Sequence, residues 1–180
     1  MWHELQTSMN ALHSRIRGRP SYLMVFAAAL MAACVVPARS GEAPDVQVLF
    51  VCEHGNVKSL MAASYFNQMA RERKLPYRAV SRGSAPDSTT VPPAIVEGLR
   101  KDGFDVAAFH PVAVEQADIT GSRQLVLINT ELPASAQARQ ISTERWTDVP
   151  PASVNFDAAR DSLRAHVTRL IDQLARPTGK

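Results

Sequence analysis

The chain has 180 residues, of which 46% are hydrophobic and 21% are charged. This length suits about one ordinary domain with a buried core, and the composition excludes a disordered or low-complexity chain. Residues 1–38 carry three arginines and one glutamate, which leaves 17 basic against 16 acidic side chains in the remainder. Such a near-neutral body argues against a broad nucleic-acid surface. Two cysteines, Cys34 and Cys52, are too few for a disulfide framework or a zinc site of the usual kind.

The first 38 residues have the pattern of a signal peptide. A basic stretch at residues 15–19 precedes an uncharged apolar run at residues 22–37, which is shorter than the roughly 20 residues of a comfortable membrane span. The small residues at its end suit signal peptidase, so cleavage after Ala38 is expected to export the protein to the periplasm. Two alternatives remain: a lipid anchor on Cys34, or an uncleaved membrane anchor formed by residues 22–37.

After a short linker at residues 39–45, strands and helices are predicted to alternate through a domain at residues 46–176. In chain order the hydrophobic patterns predict a strand at 46–52, a helix at 58–73, a strand at 77–81, a helix at 92–103, a strand at 125–129, a weaker strand at 139–146 and a helix at 153–175. Strands separated by helices indicate an α/β fold with a parallel sheet and helices on both faces. Ligands bind at the carboxyl ends of the strands in such sheets, so the segment after the first strand is the first place to look for chemistry.

That segment, residues 52–59, reads Cys-Glu-His-Gly-Asn-Val-Lys-Ser. A loop between a strand and a helix directs backbone N–H groups inward, and the helix N-terminus adds partial positive charge, so the loop can hold an oxyanion. These groups and Lys58 would favour the thiolate of Cys52, and Gly55 is free to take the positive φ that a tight loop needs. Cys52 alone would be read as a small buried hydrophobic residue, but the combination predicts a nucleophile facing a bound phosphorus.

The arrangement resembles the low-molecular-weight protein tyrosine phosphatase and arsenate reductase family. The resemblance lies in Val48-Leu-Phe-Val-Cys52, five intervening residues, a cation at position 58, Ser59 and Met61-Ala62, and it extends over about residues 46–175. Members carry a Cys-x5-Arg-Ser phosphate loop directly after the first strand of a four-stranded parallel sheet. The resemblance therefore implies a three-layer α/β sandwich with helices on both faces of that sheet.

The resemblance also assigns roles to residues. It implies that Cys52 attacks phosphorus to form a thiophosphate, that Lys58 takes the place of the phosphate-clamping arginine, and that Ser59 supports the thiolate. The loop residues expected to surround the substrate are Glu53, His54, Gly55, Asn56, Val57 and Ser59. The resemblance implies no cofactor, and no metal site is expected.

Three departures from the family pattern change the expectations. Lys58 offers a point charge where an arginine offers two parallel hydrogen bonds, so weaker transition-state binding or a different oxyanion is expected. Gly55 stands where many members have asparagine. The family's general acid belongs to an Asp-Pro pair before the last helix, whereas Asp148 lies two residues before the first proline there. Asp148 is the predicted acid, and Asp157 and Asp161 are assigned to the first turn or solvated face of the last helix.

Three functions follow as hypotheses. The first is an exported, cysteine-dependent hydrolase of phosphate monoesters, with phosphotyrosine as the family default. The second is an arsenate reductase that uses an external thiol, because no cysteine follows Cys52. The third is a module that binds phosphate or arsenate without turnover. The expected partners are such an oxyanion and a phosphorylated small molecule or protein, with no nucleic acid and with membrane contact only through the N-terminal segment; the sequence does not indicate the oligomeric state.

Overall fold

The computed structural model describes residues 46–176, so the predicted signal peptide and linker lie outside the described residues. The strands are β1 (Val46–Cys52), β2 (Tyr77–Gly83), β3 (Gln124–Ile128) and β4 (Ser142–Trp146). The helices are α1 (Lys58–Glu72), α2 (Pro93–Lys101), α3 (Gln116–Thr120) and α4 (Phe156–Ala175). Within this range, no helix is long and apolar enough to cross a membrane.

The strands form one four-stranded sheet in the order β2-β1-β3-β4, and all of its pairs are parallel. β1 is an inner strand, and Phe50 at its middle pairs with Ser81 of β2 and Val126 of β3. Parallel neighbours place their carboxyl ends at one edge of the sheet, which brings the residues after β1, β3 and β4 together. This architecture confirms the predicted α/β fold class.

The side chains of β1 alternate between two buried faces. Val48 and Phe50 belong to a core shared with α1, α2 and α4, while Leu49 and Val51 pack with Ile119 of α3 on the other side. Helices therefore cover both faces of the sheet, which gives the three layers that were expected. Because β1 is buried on both faces, the loop that follows it starts from a rigid base.

The boundaries differ from the predicted ones in several places. β2 continues two residues further, to Gly83, because Arg82 and Gly83 still pair with Val51 and Cys52 of β1. α3 was not predicted, since it has five residues and only Ile119 is buried. α4 begins three residues later than predicted because Asn155 caps it, accepting a hydrogen bond of 3.0 Å from the backbone N–H of Ala158.

Candidate active site

A pocket of about 480 Å³ opens at the carboxyl edge of the sheet, and Cys52 lies at its base. Cys52 is the last residue of β1 and is only 5% exposed. Residues 53–57, called here the oxyanion loop, connect it to Lys58, the first residue of α1. The loop residues lining the pocket are Glu53, His54, Asn56 and Val57, and Lys58 lines it as well. The structure thus brings most of the predicted site residues to one cavity. Gly55 and Ser59 do not line it.

The start of α1 leaves its backbone donors open. Val57 precedes the helix without a side-chain cap, and the first turn holds no acidic residue. Among residues 46–176, the backbone N–H groups of residues 54–59 donate to no protein acceptor. Uncapped N–H groups and the positive end of the helix dipole form a site for an anion in the loop that follows Cys52.

Two glycines allow the oxyanion loop to lie against the end of β2. Gly55 has φ +76°, as predicted from its residue type, and a Cβ there would lie 2.6 Å from the backbone nitrogen of Gly83. A Cβ on Gly83 would in turn lie 2.9 Å from the carbonyl group of His54. Neither position has room for a side chain, so the asparagine that many relatives carry at position 55 does not fit here without movement of β2.

A buried chain of hydroxyl groups reaches the sulfur of Cys52. Its Sγ lies 3.0 Å from Ser59 Oγ, and Ser81 Oγ lies 2.8 Å from Ser59 Oγ and 2.9 Å from the carbonyl oxygen of Gly55. Ser59 has one proton, which it can donate to the sulfur or to the carbonyl oxygen of Arg82 at 3.3 Å. With a thiolate at Cys52 it donates to the sulfur, so this geometry fits the supporting role that the resemblance implies for Ser59.

Lys58 is held by the segments that follow β3 and β4. Its Nζ donates to Asn129 Oδ1 at 2.8 Å and to the carbonyl oxygen of Val149 at 3.2 Å. Burial lowers the pKa of Lys58, against the opposing influence of Cys52 and Glu53. Asn129 was not predicted as a site residue, although a polar residue immediately after the apolar strand β3 is the signal that could have identified it.

The residues between β2 and α2, residues 84–92, are called here the β2–α2 segment, and they border the pocket on one side. Asp87, Ser88 and Pro92 line the cavity. Asp87 Oδ1 lies 3.0 Å from His54 Nδ1. Asn56 is buried and donates from Nδ2 to the carbonyl oxygen of Thr90 at 2.8 Å, which ties the oxyanion loop to this segment. Asp87 was also not predicted, because it lies in an irregular segment whose sequence shows no periodic pattern.

The residues between β4 and α4, residues 147–155, are called here the β4–α4 segment, and they border the opposite side. Pro151, Ala152 and Ser153 line the pocket, but Asp148 does not. The Asp148 side chain is 71% exposed, and its Oδ1 accepts a 2.8 Å hydrogen bond from His166 Nε2. The pKa of Asp148 is lowered by a hydrogen bond from its own backbone N–H and by His166. A lowered pKa and a position outside the cavity do not support the acid role predicted for Asp148.

The remaining walls of the pocket are aliphatic. They are formed by Pro92, Ala94, Ile95, Ile128, Pro151 and Ala152. Trp146, the last residue of β4, does not line the pocket; it is 3% exposed and packs between Phe50 and His166. Within the described residues, no group of three or more His, Cys, Asp and Glu side chains is arranged to hold a metal ion.

The fold and this cavity define a class of protein: an α/β protein that presents a buried cysteine beneath an oxyanion loop. Residues 47–148 match the family described as low molecular weight phosphotyrosine protein phosphatase. Because the match spans more than half of the chain, the protein belongs to this family. No curated protein sequence matches the chain.

Solved structures agree with the fold. YfkJ from Bacillus subtilis superimposes with a TM-score of 0.66 at 19% identity, covering 74% of this chain and 97% of that one. The low molecular weight protein tyrosine phosphatase from T. tengcongensis gives 0.58 at 22% identity, covering 71% and 99%. The arsenate reductase from Archaeoglobus fulgidus gives 0.55 at 25% identity, covering 69% and 98%. Phosphatases and arsenate reductases thus share this fold.

Proposed function

We propose that this protein hydrolyses phosphate monoesters through a phosphorylated Cys52. One observation carries the proposal: the buried sulfur of Cys52 lies 3.0 Å from Ser59 Oγ, and the loop that follows it has backbone N–H groups with no protein acceptor among residues 46–176. Phosphoryl transfer to an enzyme group requires a stabilised nucleophile and a site that binds the phosphoryl oxygens.

The reaction proceeds in two steps. The Cys52 thiolate attacks phosphorus and forms an S–P bond while the bond from phosphorus to the leaving oxygen breaks, and a proton is delivered to that oxygen. Water then attacks the same phosphorus, gives up a proton, and breaks the S–P bond to release inorganic phosphate and the thiolate. The N–H groups of residues 54–59 hold the phosphoryl oxygens in both steps.

Lys58 supplies the cation of the site. Two of its three donors are already directed to Asn129 and Val149, which leaves one N–H for a phosphoryl oxygen. An arginine would offer a planar pair of donors, so this site relies more on backbone N–H groups for transition-state binding. The aliphatic walls accept an alkyl or aryl ester alike, and phosphotyrosine is one candidate substrate.

We also propose that the protein is exported by its N-terminal segment. The support is the basic stretch at residues 15–19, the apolar run at residues 22–37 and the small residues that end it. Mass analysis of the mature N-terminus separates three outcomes. A chain beginning after Ala38 supports a cleaved signal peptide, a lipid on Cys34 supports a lipoprotein, and an intact N-terminus supports a membrane anchor.

A second candidate function is arsenate reduction. The structural similarity to arsenate reductases favours it. Cys52 is the only cysteine within the described residues and Cys34 is the only other one in the chain, so the arsenylated Cys52 would have to be resolved by an external thiol. A third possibility, in view of Lys58, is a site that binds the oxyanion without turnover.

One experiment distinguishes the three functions. We expect the purified protein to hydrolyse p-nitrophenyl phosphate, and we expect Cys52→Ser to lower kcat by about 10⁴-fold or more, as the loss of a nucleophile does elsewhere. Cys34→Ser is the matched control and retains activity. Phosphate binding without hydrolysis would favour the binding module, and arsenate reduction with an added small thiol but no ester hydrolysis would favour the reductase.

A further inference from the structure

The β2–α2 segment is fixed rigidly to the oxyanion loop. The backbone N–H of Ser84 donates to the carbonyl oxygen of Cys52 at 2.9 Å, and that of Ala85 donates to Glu53 at 2.8 Å. Asn56 adds the third tie, to the carbonyl oxygen of Thr90. Because these ties flank Asp87 on both sides, they fix its backbone beside the loop, and its carboxylate reaches His54.

His54 lines the pocket beside two carboxylates. Its Nδ1 lies 3.0 Å from Asp87 Oδ1 without hydrogen-bond geometry, and its Nε2 lies 3.8 Å from Glu53 Oε2. Asp87 therefore acts on the ring by its charge and its position, and the imidazole can exchange a proton with a group bound in the cavity.

The other carboxylates are poorly suited to donate a proton. Asp148 lies outside the cavity and its pKa is lowered. Glu53 and Asp87 line the cavity, but their side chains are 67% and 70% exposed. Imidazole is the side chain that ordinarily exchanges protons near neutral pH, and His54 lines the same cavity.

We propose that His54 is the general acid and base of this site, and that Asp87 is a positioning residue acting through it; the inference rests on the proposed phosphatase function. As Cys52 forms its bond to phosphorus, the imidazolium of His54 gives the Nε2 proton to the leaving oxygen. The neutral Nε2 then takes a proton from the water that attacks phosphorus, which restores the imidazolium and the thiolate. The proton donor thus comes from the oxyanion loop itself and not from the β4–α4 segment.

Three charged groups surround His54. Asp87 and Glu53 place carboxylate oxygens 3.0 and 3.8 Å from the two ring nitrogens, and Lys58 lines the same cavity. The proton leaves the ring in the first step and returns from the attacking water in the second, so the ring ends each turnover in the form in which it began.

Leaving-group dependence tests the proposal. Phenyl phosphate has a poor leaving group that needs a proton, and 2,4-dinitrophenyl phosphate has a good one that does not. We expect His54→Gln to lower kcat/KM for phenyl phosphate by about 10²-fold to 10⁴-fold, the usual range for general acid catalysis, and to leave the dinitrophenyl ester within about fivefold. His110→Gln is the matched control, because His110 does not line the cavity and should keep wild-type rates on both esters.

The second step gives an independent signature. With the dinitrophenyl ester, His54→Gln should release a burst of 2,4-dinitrophenolate and accumulate phosphorylated Cys52, because the water then lacks its base. Asp87→Asn should show the same selectivity for leaving groups with a smaller loss of kcat and unchanged KM, and Asp87→Glu should restore part of it. A structural role would produce neither the burst nor the selectivity.

Equal losses on both esters in His54→Gln, or selectivity for leaving groups in Asp148→Asn but not in His54→Gln, would overturn the inference while leaving the phosphatase function intact. The function itself fails in a different way: the wild-type protein would then hydrolyse neither ester and form no phosphorylated Cys52.

Discussion

The two segments that border the pocket are joined to the oxyanion loop in different ways. The β2–α2 segment is held by backbone hydrogen bonds to Cys52 and Glu53 and brings a carboxylate, Asp87, into the cavity. The β4–α4 segment is held by a side chain, through Lys58, and offers the cavity prolines and small residues. In the family the second segment is expected to supply the acid. Here Asp87 of the first segment lines the cavity, whereas Asp148 of the second does not.

The largest expected effect comes from separating the end of β2 from the oxyanion loop. In Gly83→Ala the new Cβ would lie 2.9 Å from the carbonyl group of His54 and 2.6 Å from Pro86 Cγ. We expect a loss of about 1–3 kcal/mol of stability, the usual cost of overpacking, together with nearly complete loss of hydrolysis. Urea unfolding and p-nitrophenyl phosphate assays measure the two effects.

Gly121→Ala is the matched control for that change. Its φ is −82°, and the nearest atom to a new Cβ is the carbonyl oxygen of Ala117 at 3.1 Å. A Gly83→Ala protein as stable and active as Gly121→Ala would show that the close approach of β2 to the loop is dispensable.

The next effect comes from removing the side chain that holds both Lys58 and the β4–α4 segment. Asn129 has φ +49°, accepts from Lys58 through Oδ1 and donates from Nδ2 to the carbonyl oxygen of Thr147. Asn129→Gly removes both contacts without straining the backbone. We expect KM for p-nitrophenyl phosphate to rise about tenfold, the value of one charge-assisted hydrogen bond, because the ammonium is no longer positioned. An unchanged KM would mean that Lys58 does not contact the phosphoryl group.

A smaller effect is expected along the hydroxyl chain. Ser59→Ala removes the hydroxyl group 3.0 Å from the Cys52 sulfur. Ser81 contacts Ser59 and not the sulfur, so Ser81→Ala affects the sulfur indirectly. Both variants should slow the alkylation of Cys52 by iodoacetamide at neutral pH, Ser59→Ala by about tenfold and Ser81→Ala by less. The reverse order would mean that Ser81 supports the loop through Gly55 and not the sulfur through Ser59.

The smallest effect concerns Asp148. Its pKa is lowered below 3.8, first by its own backbone N–H and then by His166, so its ionised form stabilises the folded protein. This contribution is present above the unfolded value and is lost as the pH falls through the lower folded value. The Tm of Asp148→Asn should therefore lie slightly below that of the wild type at neutral pH, and the two should converge as the pH falls through the lowered pKa of Asp148. A gap that widens in acid would contradict this assignment.

Patterns along the chain predict most of the fold. The range of β1 matches the predicted strand, and those of α1 and β3 agree to within one residue, because apolar runs and helical spacing are local properties. α3 was missed because one short turn with a single buried residue, Ile119, has no periodicity to detect. The end of β2 was misjudged because its last two residues pair with Val51 and Cys52 of β1, which is a long-range contact. The start of α4 was misjudged because a cap from Asn155 sets it.

Only part of the candidate site could be predicted in the same way. Cys52 through Ser59 are contiguous, so their spacing alone indicates an oxyanion loop. Asn129 and Asp87 come from distant segments, and only the parallel sheet brings them beside the loop. Asp148 was chosen for its distance from a proline in sequence, but the cavity boundary depends on which residues of that segment turn inward, and those are Pro151, Ala152 and Ser153.

The central claim is that Cys52 carries the phosphoryl group. Mixing the protein with 2,4-dinitrophenyl phosphate, stopping the reaction with acid within one turnover and analysing the peptides by mass spectrometry tests this directly. The account predicts one phosphoryl group on Cys52 in the wild type, more of it in His54→Gln and none in Cys52→Ser. Turnover with no phosphorylated Cys52 in either the wild type or His54→Gln, or a phosphoryl group on another residue, would contradict it.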